Sequence, residues 1–130
     1  MKSTAISIAV TIILIGGAIM LVRGGSEQAN ITPLNNVTVA DGKQVIEIRA
    51  KGGYLPRQSV ARAGMPTILR FETSGTFDCS SSVRIPSMDI TRSLPPSGTT
   101  DIDLGIPKSG TLQGSCGMGM YPFEIVFGNQ

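Results

Sequence analysis

Four side chains in this 130-residue chain combine a chemically useful type with a useful spacing: Cys79, Cys116, Met118 and Met120. The segment Ser115-Cys116-Gly117-Met118-Gly119-Met120-Tyr121 places one thiol and two thioethers within five residues, with glycine between them. Glycine tolerates positive φ, so the backbone there can curl the three sulfurs around one point. In a plain extended strand they would share a face, because side chains alternate with a period of two. Either path gathers sulfur on one side, and Cys79, within Phe77-Asp78-Cys79-Ser80-Ser81, offers a further thiol. Thiolate and thioether donors suit soft ions such as Cu(I), whereas Mg²⁺ and Ca²⁺ prefer oxygen. Structural zinc takes Cys or His ligands, and methionine is not among its usual donors. A blue-copper centre needs two histidines beside its cysteine, and this chain has no histidine. The expectation is a Cu(I) site for one or two ions, with Cys79, Cys116, Met118 and Met120 as ligands.

Plainer readings of the same residues compete with this one. Methionine is a flexible filler of core gaps, which is how an isolated Met pair would be read. Flanking glycines and an adjacent cysteine favour the ligand reading here. A buried free cysteine behaves as a small hydrophobe. A Cys79–Cys116 disulfide is the stronger rival if the domain faces an oxidising compartment, although it leaves the methionines without a role. Ser80, Ser81 and Ser82 lack a histidine to activate a nucleophile, and Gly52-Gly53 belongs to no phosphate-binding pattern. The chain is expected not to be an enzyme. Its net charge of +2, with the basic residues scattered, excludes a nucleic-acid footprint.

These residues need a scaffold, and the sequence divides into three parts: 1–23, 24–43 and 44–130. Thr4 to Val22 carries no charge, and as a helix it would span about 28 Å, close to the hydrocarbon thickness of a bilayer. No Ala-x-Ala cleavage pattern follows, so a retained single-pass transmembrane helix is expected rather than a cleaved signal. Lys2 and Arg23 flank the run almost symmetrically, which leaves orientation open. Residues 24–43 turn to Gly, Ser, Asn, Gln and Thr and read as a flexible linker. Beyond them the pattern is β-like. Strands are expected at Gln44 to Ala50, Thr67 to Thr73, Val83 to Ile85, Thr99 to Leu104, Thr111 to Cys116 and Phe123 to Phe127, punctuated by Gly and Pro. No later stretch has a helical period, so residues 44–130 are expected to form an all-β sandwich or barrel.

Gly53-Tyr54-x-Pro56, Gly64-x-Pro66, Cys79 followed by Val83-x-Ile85-Pro86, and Cys116-Gly117-Met118-Gly119-Met120 resemble the cupredoxin-like family. Within that family the pattern is most similar to the membrane-anchored Cu(I) chaperones of streptococcal copper-resistance operons. It is also similar to the metal-binding domain of copper-exporting P-type ATPases. The resemblance implies a Greek-key fold. It further implies that Cys79 and Cys116 form the tighter Cu(I) site, while Met118 and Met120 form a weaker, more exposed one that offers the ion to a partner. The implied partner is a copper-exporting P-type ATPase, and the implied role is copper resistance and homeostasis at the cell membrane. Copper destined for export is collected in the cytoplasm, which favours that side for the soluble domain. The alternative is a disulfide-stapled extracellular β-sandwich used for adhesion or protein binding.

Overall fold

The structure is a computed structural model that describes residues 35–129 together with Ile8, Val10, Ile12 and Ile13, which are helical. The expected anchor at residues 4–22 therefore lies almost wholly outside the described residues. Among those described, no helix is long and apolar enough to cross a membrane. The chain separates into two compact units, Met1–Thr32 and Pro33–Gln130, and the second carries the β-structure.

Among the described residues ten strands follow in order: β1 (Val37–Ala40), β2 (Lys43–Ala50), β3 (Tyr54–Leu55), β4 (Gln58–Arg62), β5 (Thr67–Thr73), β6 (Ser82–Ile85), β7 (Ile90–Ser93), β8 (Gly98–Gly105), β9 (Gly110–Cys116) and β10 (Pro122–Gly128). One sheet has the order β1-β2-β5-β8, with β3 also paired to β2, and the other has the order β4-β10-β9-β6-β7. Both sheets are mixed. The β2–β5 and β4–β10 pairs are parallel, and the remaining neighbours are antiparallel. Two short 3-10 turns, Cys79–Ser81 and Pro86–Met88, flank β6. Among residues 35–129 there is no α-helix.

The strands exist because alternate residues can be buried between the sheets. In β2 the inward set is Gln44, Ile46, Ile48 and Ala50, and in β5 it is Thr67, Leu69, Phe71 and Thr73. Phe123, Ile125 and Phe127 of β10 answer them from the opposite sheet. At the centre, Tyr54, Phe71 and Phe123 meet edge to face, with ring centroids 5.0–5.7 Å apart, an arrangement that aligns positive ring edges with negative faces. Gln44 is the polar exception in this layer. Its side chain accepts the Arg62 amide at 2.8 Å and donates to the Arg62 carbonyl and the Thr67 hydroxyl, so the buried amide joins the two sheets at no loss of hydrogen bonding. On the outer face of β5, Arg70 makes a bidentate pair with Asp101 of β8, as the alternation of Asp101 and Asp103 with Ile102 and Leu104 requires.

The linker expectation for residues 24–43 needs correction at its end. Residues 37–40 form β1, which pairs with β2 from Val37↔Ile46 to Ala40↔Lys43. Asn36 adds a side-chain hydrogen bond to Ser59 at 2.7 Å. The β-structure thus begins before residue 44. Asp41 and Gly42, both at positive φ, make the tight turn between β1 and β2.

Candidate metal centre

Cys79 and Cys116 come together although 37 residues separate them. Cys116 is the last residue of β9, is opposite Val83 of β6, and is wholly buried. Cys79 opens the 3-10 turn that leads into β6, so the chain folds back and sets it over the end of the same strand pair. Their Cα atoms are 5.6 Å apart and their sulfurs are joined as a disulfide. The rival pairing weighed for these cysteines is therefore the state this structure shows. As a disulfide the two sulfurs offer no thiolate. Reduction frees both thiols, at a separation set by the fold rather than by the bond.

Met118 and Met120 occupy the hairpin loop between β9 and β10. The Gly119 amide donates to the Cys116 carbonyl at 2.9 Å, and the Cys116 amide donates to the Tyr121 carbonyl at 3.1 Å, closing the loop. Gly119 takes φ of +75°, a conformation in which glycine is favoured. The segment therefore curls instead of continuing as a strand. Met118 is 79% exposed and Met120 62% exposed, so neither fills a core gap. The fold thus assembles the two cysteines as one inner pair and holds the two thioethers outward on the adjoining hairpin. Phe77, two residues before Cys79, is 82% exposed and adds a bare aromatic ring to the Cys79 loop.

Hydrogen bonds around Cys79 converge on Asp78. Its Oδ1 accepts the Ser80 amide at 2.8 Å and also the Ser80 hydroxyl, capping the 3-10 turn. Its Oδ2 accepts the Gly52 amide at 2.7 Å, reaching across to the β2–β3 turn. The Ser80 hydroxyl, opposed next by desolvation and helped by the Ser80 and Gly52 amides and the nearby Lys51 charge, holds this carboxyl below its usual range. On the other side of Cys79, the Tyr54 hydroxyl donates to the Ser82 carbonyl at 2.9 Å. Burial, followed by the Asp78 charge, pushes the Tyr54 phenol upward, so it stays a donor. Tyr54 enters the sequence reading only through the Gly53-Tyr54-x-Pro56 resemblance, and none of these hydrogen-bond ties is expected from the sequence. From the sequence, Ser80 reads only as a nucleophile lacking a base, and Gly52 only as a glycine outside any phosphate-loop pattern. The signal that could have found them is Asp78-x-Ser80, a side-chain cap pattern.

The donor chemistry fits a soft monovalent ion. Reduction of the disulfide would leave two thiols close together, with two thioethers on the hairpin that follows Cys116, whereas no group of three or more Cys, Asp or Glu side chains able to hold a metal occurs among the described residues.

A family model for the cupredoxin-like domain matches residues 12–126. Among solved structures, a copper-binding protein in its apo form is 21% identical, with a TM-score of 0.65 over 71% of this chain and 94% of that one. The metal-binding domain of the Streptococcus pneumoniae Cu(I)-exporting P-type ATPase CopA, solved with Cu(I), is 22% identical, with a TM-score of 0.63 over 72% of this chain and 93% of that one. Auracyanin A, a blue copper protein of Chloroflexus aurantiacus, is 17% identical, with a TM-score of 0.52 over 67% of this chain and all of that one. At these identities the likeness is one of fold. No curated protein matches the chain.

Proposed function

The chain belongs to the cupredoxin-like domain family, and from that premise we propose that it binds Cu(I) as cargo and passes it on, without catalysing a reaction. The observation that carries this reading is the meeting of Cys79 and Cys116 beside a hairpin that holds Met118 and Met120 in solvent. Two thiolates neutralise Cu(I) and bind it tightly, whereas a thioether is uncharged and donates weakly. The inner pair would hold the ion. The outer thioethers would take it up and release it by stepwise ligand exchange, one donor replacing another without a free ion. The missing histidines argue against electron transfer at a blue-copper centre.

The proposed recipient is the metal-binding domain of a copper-exporting P-type ATPase, a domain type with this fold. Anchoring through residues 4–22, with the β-domain on the cytoplasmic side, would keep the carrier close to such a pump in copper resistance. Carbonate-resistant sedimentation of the full chain with membranes tests the anchor. Labelling of a cysteine introduced in the linker reads the side.

The test of the central reading is a competition titration of fully reduced protein against a chromophoric Cu(I) chelator. Tight binding that Cys79→Ser or Cys116→Ser abolishes supports it, and binding that survives both substitutions rejects it. The disulfide itself favours a second reading, a stapled extracellular binding module. Thiol titration of protein prepared without reductant, followed by the same copper assay after reduction, separates the two. A stapled module would show no free thiol and no Cu(I) affinity once reduced.

A further inference from the structure

The turn between β2 and β3 touches both loops that carry the cysteines. Gly52 donates its amide to Asp78, the residue before Cys79, at 2.7 Å. Tyr54 donates its hydroxyl to Ser82, three residues after Cys79, at 2.9 Å. Gly53, between them, lies under the Tyr121 ring: a Cβ there would come within 3.7 Å of the ring. Tyr121 closes the methionine hairpin through its carbonyl, which accepts the Cys116 amide. Ser82 also abuts the hairpin, since a Cβ on Gly117 would meet its hydroxyl at 3.0 Å. Gly52 and Gly53 sit at φ of +60° and +125°, a path that few other residues follow. The turn and the first residue of β3 therefore grip the Cys79 segment on both sides and bear on the hairpin that follows Cys116.

From this arrangement we infer that the β2–β3 turn is a bracket fixing the distance between the two cysteine loops, and that Asp78 is its positioning residue. Asp78 binds the Cys79 turn with one oxygen and the bracket with the other. It touches no proposed ligand other than through the backbone it shares with Cys79, so its effect is on where that sulfur stands. The inference rests on the copper reading for its purpose, but its geometry does not depend on copper.

Two variants and two readouts test it. Asp78→Asn keeps an acceptor for Ser80 but turns an amide donor toward the Gly52 donor, cutting the bracket tie alone. Asp78→Ala removes the tie and the cap together. The first readout is metal-free: the equilibrium of the Cys79–Cys116 pair against a dithiol buffer, which measures the effective concentration of one thiol at the other. The second is Cu(I) affinity by chelator competition. Losing hydrogen bonds to a charged group should shift both quantities by about tenfold in Asp78→Ala, toward the reduced dithiol and toward weaker copper binding. Asp78→Asn should move them in the same direction by less. If Asp78→Ala fails to fold, Asp78→Asn carries the test alone. A folded variant that melts earlier yet keeps the wild-type thiol equilibrium would show a cap and nothing more, and would overturn the inference. A shifted thiol equilibrium in a protein whose wild type has no Cu(I) affinity would uphold the bracket and reject the copper reading.

Discussion

Reducing the Cys79–Cys116 bond perturbs this protein in a way whose size can be worked out. The bridge spans 37 residues of sequence. By the chain-entropy relation, a crosslink of that length destabilises the unfolded ensemble by about 4 kcal/mol at 25 °C. In a domain of this size each kcal/mol moves the melting temperature by about 4–8 °C, so reduction should lower it by roughly 15–30 °C. A Cu(I) ion held by both thiolates in the folded state alone replaces that bridge by mass action. At a free concentration about a thousand times its dissociation constant it restores about 4 kcal/mol. Far-UV circular dichroism melts of three samples give the comparison: oxidised, reduced with a phosphine that is then removed, and reduced with Cu(I) added anaerobically. The expected order is oxidised and copper-loaded close together, with reduced apo protein well below. Zinc in place of Cu(I) should restore much less, since only two of the four proposed donors suit it. A melt unchanged by reduction would mean that the two sulfurs close no loop in solution. A reduced protein that Cu(I) fails to stabilise would refute the shared-site reasoning.

Met118→Leu with Met120→Leu should leave the melting temperature within about 2 °C of wild type, because both side chains are solvent-exposed, and should preserve tight Cu(I) binding while a weaker site and transfer disappear; two-site titration checks this. Cu(I) binding should weaken as pH falls, because protons compete for the thiolates. Independently of copper, the Asp78 carboxyl is held below its usual range, chiefly by the Ser80 hydroxyl, so the stability it contributes is present above the ordinary carboxylate range and lost as pH falls through its lowered folded value. Acid melts of wild type and Asp78→Asn should therefore converge at low pH. Gly114→Ala should destabilise the domain by about 1–3 kcal/mol in urea unfolding, since its Cβ would overlap the outer end of the Phe123 ring, which packs on Tyr54 and Phe71.

Six of the strands were legible in the sequence, and five of them turn large apolar residues inward, whereas β9, whose buried positions are Gly114 and Cys116, was marked by its sulfur and glycine spacing instead. Ile46 and Ile48, Leu69 and Phe71, and Phe123 with Ile125 and Phe127 announce themselves by alternation. The missed strands lack that signal. Inward positions of β4 are Ser59 and Ala61, too small to mark a period. The outward-leaning β1 and β7 bury almost nothing, and β3 is only two residues long. At the candidate site, sulfur types and spacing singled out all four residues, and the fold brings the cysteines together. Whether they would be bonded or free was not legible, because their approach depends on the Val83↔Cys116 register, which no local pattern encodes. Nor could the sequence reveal the Asp78–Gly52 tie, a contact across 26 residues.

The parallel pairing of β4 with β10 has a consequence for the order in which the molecule can be made. β10 lies inside its sheet, between β4 near the front of the domain and β9, and its register runs from Glu124↔Gln58 to Gly128↔Arg62. During synthesis from the N-terminus, Cys79 emerges before Cys116, and the sheet that holds Cys116 has a gap until β10 clears the ribosome. Such non-local pairing must pay its loop-closure entropy before any contact rewards it. The nascent chain therefore presents a solitary thiol on an unfinished scaffold. The β4–β10 ladder is the last pairing that can form, so the sheet in which Cys116 lies stays open on one side of β9 until β10 fills it.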